Sequence, residues 1–308
     1  MLWFYPCLET LHMTRLTAAD FDQELLILFD AYVHGNLDRR GFLERAQKFA
    51  VGGLTAAGLL AALSPNFAAA QLVAKTDPRI QTQMVDIASP MGYGHIKAYV
   101  AKPANATGKL PTVLVVHENR GLNPHIEDIA RRLALDGYLA LAPDALTPLG
   151  GYPGDEDKAR TLFATLDQKK TQQDFLAAAG ALKARADCNG KIGAVGFCYG
   201  GGIVHMLATH LPDLAAAVPF YGNHPPAADA VKVKAPLLIH FAGVDDRINA
   251  AWPTYEAALK AAGAHYTAHS YAGTQHGFNN DTTPRFDAAA AKLAWDRSMA
   301  FFAQHLRG

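Results

Sequence analysis

Apolar residues in this chain fall into short runs that alternate with helical patterns from about residue 80 to the C-terminus. Segments 79–87 and 95–101 alternate apolar and polar side chains, which is typical of an antiparallel strand pair with one face in water. Later runs are continuously apolar, which indicates strands that are covered on both faces. These runs are 111–117, 138–142, 192–197, 215–221 and 236–242, and a last predicted strand is 265–271.

Helical patterns separate these runs. We predict helices over 126–136, 155–170, 172–185, 250–262 and 284–305. Strands that alternate with helices predict an α/β fold, with a mostly parallel central sheet and helices on both faces. In open sheets of this kind the functional site lies beyond the carboxyl ends of the strands. The residues that follow each strand are therefore the first candidates for chemistry.

The most informative stretch is 191–210, in which an apolar strand, a glycine-rich turn and a helix follow one another. Cys198 lies in the turn, with Gly196 and Gly200 two residues away on either side. One reactive side chain in a sharp strand–turn–helix is typical of a nucleophile elbow, and side chains at the two glycines would collide across the turn. The helix N-terminus directs its positive end at Cys198 and favours the thiolate. The alternative is a structural cysteine buried in the core.

A histidine and an acid follow later strands in the order that such an elbow uses. His276 comes after the last predicted strand and is the candidate general base. Asp245 follows the strand 236–242 and is the candidate carboxylate that orients the imidazole, with Asp246 as the second choice. Four other histidines are expected to be structural: His205, His210, His265 and His269.

Stabilisation of a tetrahedral intermediate requires backbone N–H donors beside the nucleophile. The expected donors are the residue after the nucleophile and a residue in the loop after an earlier strand. In this chain those residues are Tyr199 and Asn119, respectively.

Five short motifs together resemble those of the dienelactone hydrolase family, from about residue 80 to the C-terminus. They are 116–121 (VHENRG), 137–138 (GY), 142–144 (APD), 196–201 (GFCYGG) and 276–278 (HGF). The resemblance implies an α/β-hydrolase fold, a triad of Cys198, Asp245 and His276, and hydrolysis of a lactone or ester through an acyl-thioester on the cysteine. It also implies that Glu118 hydrogen-bonds the resting thiol and is displaced when substrate binds. The alternative role for Glu118 is a salt bridge with Arg120.

The substrate-binding residues depart from the family pattern at one position. Family members that act on dienelactone carry an arginine four residues after the histidine, whereas this chain has Asn280 there. Arg120, Arg247 or Arg285 could replace it, because a guanidinium binds a carboxylate through two parallel hydrogen bonds. Tyr152, in a stretch rich in glycine and proline, is a further candidate substrate contact.

We therefore expect a thiol-dependent hydrolase of small esters or lactones. A broader carboxylesterase on the same triad is the alternative within the same class. A non-catalytic thiol redox sensor or a small-molecule binding protein is the alternative from another class.

Composition narrows the choice of partners. The chain has 28 basic and 28 acidic residues, so nothing favours a nucleic-acid partner. It has three cysteines, Cys7, Cys188 and Cys198. A predicted strand about 20 Å long separates Cys188 from Cys198, which is too far for a disulfide bond. We therefore expect free thiols. The chain has no HExxH motif and no pair of cysteines at metal-binding spacing, so we expect neither a metal nor another cofactor. The expected partner is a small-molecule substrate, with monomer and dimer both open.

Residues 1–70 are interpreted as a leader that precedes one hydrolase domain, 71–308. An arginine pair, Arg39 and Arg40, is followed by an uncharged apolar run, 49–63, and by small residues up to Ala70. This order resembles a twin-arginine signal that is cleaved after Ala70, which predicts a periplasmic protein without a membrane span in the mature chain. Translation could start at Met1 or at Met13. The alternative is a cytoplasmic protein in which 18–34 forms a helical appendage that leads into a packing helix.

Overall fold

The computed structural model describes residues 15–307, which contain one eight-stranded sheet in the order β1-β2-β4-β3-β5-β6-β7-β8. The strands are β1 Ile80–Ser89, β2 Gly94–Pro103, β3 Leu110–Val116, β4 Leu139–Pro143, β5 Cys188–Phe197, β6 Ala216–Phe220, β7 Leu237–Val244 and β8 Tyr266–Gln275. Strands β1 and β2 pair antiparallel with each other, and β2 also pairs antiparallel with β4. All pairs from β4 to β8 are parallel. The α/β fold with a mostly parallel sheet is therefore confirmed.

Helices cover both faces of the sheet. The α-helices are α1 Gln23–Val33, α2 Arg39–Ala46, α3 Ala56–Leu63, α4 Phe67–Ala70, α5 Pro124–Leu135, α6 Glu156–Phe163, α7 Gln168–Lys183, α8 Tyr199–His210, α9 Asp246–Asn249, α10 Trp252–Ala261 and α11 Ala288–Leu306. Side chains of β3 alternate between two apolar clusters, one shared with α7 and α8 and the other with α5 and α11. This alternation gives each sheet face its own core.

Two predicted helix boundaries are wrong, and a capping aspartate explains each. The predicted helix 155–170 ends at Phe163, and the next helix begins at Gln168 because the Asp167 carboxylate accepts from two backbone N–H groups of its first turn. The last helix begins at Ala288 and not at 284, because Asp287 caps the Ala290 N–H. The prediction of free thiols is confirmed for Cys188 and Cys198, whereas Cys7 lies outside the described residues.

Helices α1, α2 and α3 form a third apolar cluster, with Phe29, Phe42 and Leu63 among its buried members. The second half of the apolar run 49–63 is thus a packing helix, which is the arrangement that the alternative to a leader predicts. Arg39 begins α2, and its guanidinium lies 2.6 Å from the Asp157 carboxylate. Ala70, the residue before the expected cleavage site, is only 5% exposed. Within residues 15–307, every helix is too short or too polar to cross a bilayer. Cleavage and export stay predictions.

Candidate active site

Cys198 occupies a strained turn between β5 and α8. Its φ of 54° and ψ of −113° lie in a region that side chains other than glycine rarely adopt. A Cβ on Gly196 would overlap the carbonyl oxygen of Gly200, which confirms the expected collision across the turn. A Cβ on Gly200 would overlap the carbonyl oxygen of Val116 and lie 2.7 Å from that of His117. The second glycine therefore lets α8 approach the neighbouring strand β3.

His276 and Asp245 meet at the carboxyl ends of β8 and β7. Their side chains are joined by a 2.6 Å contact between Nδ1 of His276 and Oδ2 of Asp245, and the two residues are 5% and 6% exposed. Asp246 is exposed and begins α9. The geometry thus favours Asp245 over Asp246 as the partner of this histidine.

The sulfur of Cys198 lies beside two imidazoles. One ring nitrogen of His276 and one of His34 are each within 4.8 Å of it. Since Asp245 engages Nδ1 of His276, the Nε2 atom is left for the sulfur; it is buried and has no hydrogen-bond partner among the described residues. Such long contacts are common in unliganded sites and tighten when substrate binds.

These neighbours shift the ionisation of the thiol. Burial alone would raise the pKa of Cys198, but the charges of His34 and His276 and the hydrogen bond with His34 lower it to about 5. Burial likewise opposes protonation of His276, but the Cys198 charge and the Asp245 carboxylate raise its pKa to about 10. The pair is therefore a thiolate and an imidazolium at neutral pH.

His34, at the C-terminal end of α1, was not among the candidates from the sequence. Its Nε2 atom lies 3.3 Å from Cys198 Sγ, and its Nδ1 atom lies 2.8 Å from the carbonyl oxygen of Asp30. The Asp30 carboxylate is 3.3 Å from the same Nδ1. No sequence motif marks this histidine, because α1 precedes the sulfur by 164 residues and lay within the presumed leader.

Glu118 and Asn280 line the same cavity as Cys198 and bind each other. The amide of Asn280 donates to Glu118 Oε2 at 2.9 Å. The only imidazole or carboxylate in the described residues at hydrogen-bond distance from the sulfur is His34, so the resting sulfur contacts His34 and not Glu118. The predicted displacement of Glu118 by substrate stays a prediction.

The candidate arginines all lie near the sulfur, and each already has an acidic or histidine neighbour. Arg120 and Arg285 line the cavity, with Nε of Arg120 3.4 Å from Glu156 and Nη1 of Arg285 3.2 Å from Asp30. The salt bridge considered for Arg120 thus involves Glu156 and not Glu118. An Arg247 nitrogen lies 3.1 Å from His34 Nε2.

Tyr152 is not among the described residues that line this cavity. Its hydroxyl donates to Oε1 of Glu156 at 2.8 Å, so Tyr152 contacts a residue that lines the cavity.

The two expected oxyanion donors, Tyr199 and Asn119, lie on different elements of the site. Tyr199 is the first residue of α8, where backbone N–H groups have no partner within the helix. Asn119 follows β3 and lines the cavity, and its side-chain amide donates to the Val33 carbonyl oxygen at 2.9 Å. The end of α1 is therefore attached to the loop that carries the second donor.

His34, Cys198 and His276 each offer one nitrogen or sulfur atom within 4.8 Å of the others. A nucleophilic thiolate needs imidazoles at this proximity, so we interpret the cluster as catalytic.

Comparison with known proteins assigns the family. Residues 96–306 match the model of the dienelactone hydrolase family. The chain belongs to this family. A separate family model, described as YqhI-like, matches residues 13–51, the segment that contains α1 and the arginine pair. His34 therefore lies outside the match to dienelactone hydrolases.

Relatives of this dienelactone hydrolase family member match between about a third and two thirds of the chain. A protein of Escherichia coli O157:H7 named "Putative carboxymethylenebutenolidase" is 37% identical over 68% of this chain and 83% of its own length. The "Putative hydrolase fragment YghX" of E. coli K12 is 53% identical over 37% of this chain and 97% of its own. The crystal structure titled as that of a "Putative Dienelactone Hydrolase" from Klebsiella pneumoniae has a TM-score of 0.65 and 33% identity, covering 73% of this chain and 99% of that one.

Proposed function

We propose that this protein hydrolyses small esters or lactones with Cys198 as the nucleophile, His276 as the base and Asp245 as the residue that orients the imidazole. The observation that supports the proposal is a buried Asp245–His276 pair beside a strained, ionisable cysteine at the carboxyl edge of the sheet. Membership of a hydrolase family agrees with this chemistry.

The reaction would begin with attack of the Cys198 thiolate on the ester carbonyl carbon. The carbonyl electrons move to oxygen, where the backbone N–H groups of Tyr199 and Asn119 stabilise the negative charge. The C–O bond then breaks, the leaving oxygen takes a proton from an imidazole, and an acyl-thioester stays on Cys198. In the second half, His276 takes a proton from water, whose oxygen attacks the thioester and releases the acid and the thiolate.

The charges around the cavity favour a substrate without a carboxylate. Arg120 faces Glu156 and Arg285 faces Asp30, so the arginines of the cavity wall are already balanced by acids. A substrate carboxylate would have to compete with these acids and with Glu118. We expect neutral lactones and short-chain esters to have higher kcat/KM than analogues of the same size that carry a carboxylate.

A burst assay with p-nitrophenyl acetate tests the nucleophile. The full chain should release p-nitrophenol and form an acetyl adduct on Cys198 that intact mass measurement detects. Cys198→Ala and His276→Ala should abolish turnover. Cys188→Ala is the matched control, because this thiol lies at the opposite end of β5 from Cys198, and its loss should leave the burst unchanged.

Cys198→Ser adds a second readout. Serine is not ionised at neutral pH, so a site that stabilises a thiolate should lose most of its activity. Turnover that survives Cys198→Ala would contradict the proposed mechanism. Absence of turnover in the wild-type chain, together with fast sulfenic acid formation at Cys198, would favour a redox sensor.

A further inference from the structure

His34 is held beside the nucleophile by contacts from several elements. Its side chain is 12% exposed, and its ring lies edge-on to that of His276 with 4.7 Å between centroids. The preceding residue, Val33, accepts hydrogen bonds through its carbonyl oxygen from the side chains of Asn119 and Arg120. The position of His34 is therefore fixed both by α1 and by the loop after β3.

The hydrogen bonds of His34 indicate which of its two ring nitrogens carries the proton when the ring is neutral. Both groups near Nδ1 are acceptors, the carbonyl oxygen and the carboxylate of Asp30, so Nδ1 carries the proton in the neutral ring. The Nε2 atom then carries the lone pair, which faces Cys198 Sγ at 3.3 Å and accepts from the Arg247 guanidinium at 3.1 Å. Asp30 and His34 thus repeat the carboxylate–imidazole arrangement of Asp245 and His276.

Charged groups from every neighbouring element act on His34. Asp30 on α1 and a thiolate at Cys198 favour its protonated form, whereas Arg247 on α9 and a protonated His276 oppose it. Arg285 reaches His34 only through Asp30, to which it is paired. Burial lowers the pKa of His34, but Cys198 and Asp30 outweigh burial and raise it.

We propose that His34 is a second catalytic acid–base residue of this hydrolase, which stabilises the Cys198 thiolate and gives a proton to the leaving oxygen of the ester. The inference rests on the proposed function of Cys198. It is supported by the 3.3 Å contact, since His34 is the imidazole at hydrogen-bond distance from the sulfur in the resting protein.

Protons balance over the two halves of the reaction. Before attack, the Cys198 sulfur is a thiolate, and His34 and His276 carry protons. The thiolate attacks, and when the tetrahedral intermediate collapses the electron pair of the C–O bond goes to the leaving oxygen, which takes the proton from Nε2 of His34. The thioester sulfur carries no charge, so His276 then loses its proton to solvent and can take one from water in the second half of the reaction. The acid that is released returns a proton to His34.

Comparison of two esters with the same acyl group tests this role. p-Nitrophenyl acetate loses a phenolate that needs no proton, whereas ethyl acetate loses an alkoxide that does. In His34→Gln the side chain keeps its reach but cannot exchange a proton, so kcat/KM for ethyl acetate should fall about 100-fold or more. For p-nitrophenyl acetate, measured on the pH plateau of each variant, the fall should stay within about 10-fold, since general acid catalysis contributes little to a good leaving group.

Controls separate this role from a structural one. His210→Gln replaces an exposed histidine at the far end of α8, about 16 Å from its N-terminus, and should leave both rates unchanged. His34→Ala should regain ethyl acetate hydrolysis when imidazole is added, because free imidazole can occupy the vacated site.

Two outcomes would overturn the role of His34: equal losses for both esters in His34→Gln, or no loss for either. Neither outcome affects the proposed function, which fails separately if Cys198→Ala retains hydrolysis. If Cys198→Ala is inactive and His34→Gln is as active as the wild type on ethyl acetate, the result supports Cys198 as the nucleophile and contradicts the acid–base role of His34.

Discussion

Substitution of a single glycine in α8 should inactivate the protein, whereas substitution of another glycine two residues later should not. In Gly200→Ala the new methyl group would overlap the Val116 carbonyl oxygen and lie 2.7 and 2.8 Å from two further backbone atoms of β3 and the loop after it. An ordinary contact needs about 3.4 Å or more and the shortest of these is 2.3 Å, so α8 and β3 must separate by about 1 Å. Overpacking of this kind costs about 1–3 kcal/mol, and we expect the upper end because the atoms are backbone.

The same displacement moves Cys198, the proposed nucleophile. Cys198 is joined directly to α8, so a shift approaching 1 Å should lower kcat/KM about 100-fold. In Gly202→Ala the nearest atom is 3.5 Å away, which is an ordinary contact, and alanine is favoured over glycine in a helix by up to about 1 kcal/mol. Thermal unfolding and p-nitrophenyl acetate kinetics should therefore show loss of stability and activity in the first variant only. Wild-type behaviour of Gly200→Ala would refute the account of the elbow.

Three further predictions concern the ionisation of Cys198, the identity of the carboxylate that orients His276, and the predicted leader. Because the pKa of Cys198 is lowered to about 5, its alkylation by iodoacetamide should rise through that pH; a midpoint near the ordinary thiol value of about 8.5 would contradict the thiolate–imidazolium pair. Asp245→Asn should lower kcat by a factor of about 100 or more, whereas Asp246→Asn should leave it within about twofold; equal effects would show that the wrong acid was assigned. The proposed role of His34 requires that this residue stays in the mature chain, so the N-terminus of the active protein should lie at Met1 or Met13; an active protein recovered from the periplasm that begins at residue 71 would support the cleaved leader and contradict the role of His34.

The sequence predicts the sheet well because each buried strand is a local pattern. Continuous apolar runs locate β3 to β7 within a few residues, and alternation locates β1 and β2. Errors occur at helix ends, where one capping side chain outweighs the pattern. The break between α6 and α7 depends on Asp167, whose carboxylate accepts hydrogen bonds from backbone N–H groups in the first turn of α7. The helical pattern of the sequence continues through this break, so the pattern alone does not reveal it.

Residues at the site can be predicted from the sequence only where strand order places them. Cys198, Asp245 and His276 follow parallel strands, so their approach to one another is a consequence of topology. His34 follows no strand, and its position depends on how α1 docks against the loop after β3. That docking is a tertiary contact between segments that are 86 residues apart, for which the sequence contains no local signal.

The two imidazoles have different electrostatic surroundings, which suits them to different tasks. The Asp245 carboxylate lies 2.6 Å from Nδ1 of His276, whereas the Asp30 carboxylate lies 3.3 Å from Nδ1 of His34. Arg247 lies near both rings, so the difference between them comes from the carboxylates. The more distant carboxylate stabilises an imidazolium less, so His34 should release a proton more readily than His276. In the proposed mechanism, attack moves the negative charge from sulfur to the substrate oxygen, and the protonated form of His34 then loses its main stabilising neighbour and becomes the stronger acid. The proton is then released at the point in the reaction where the leaving oxygen needs it.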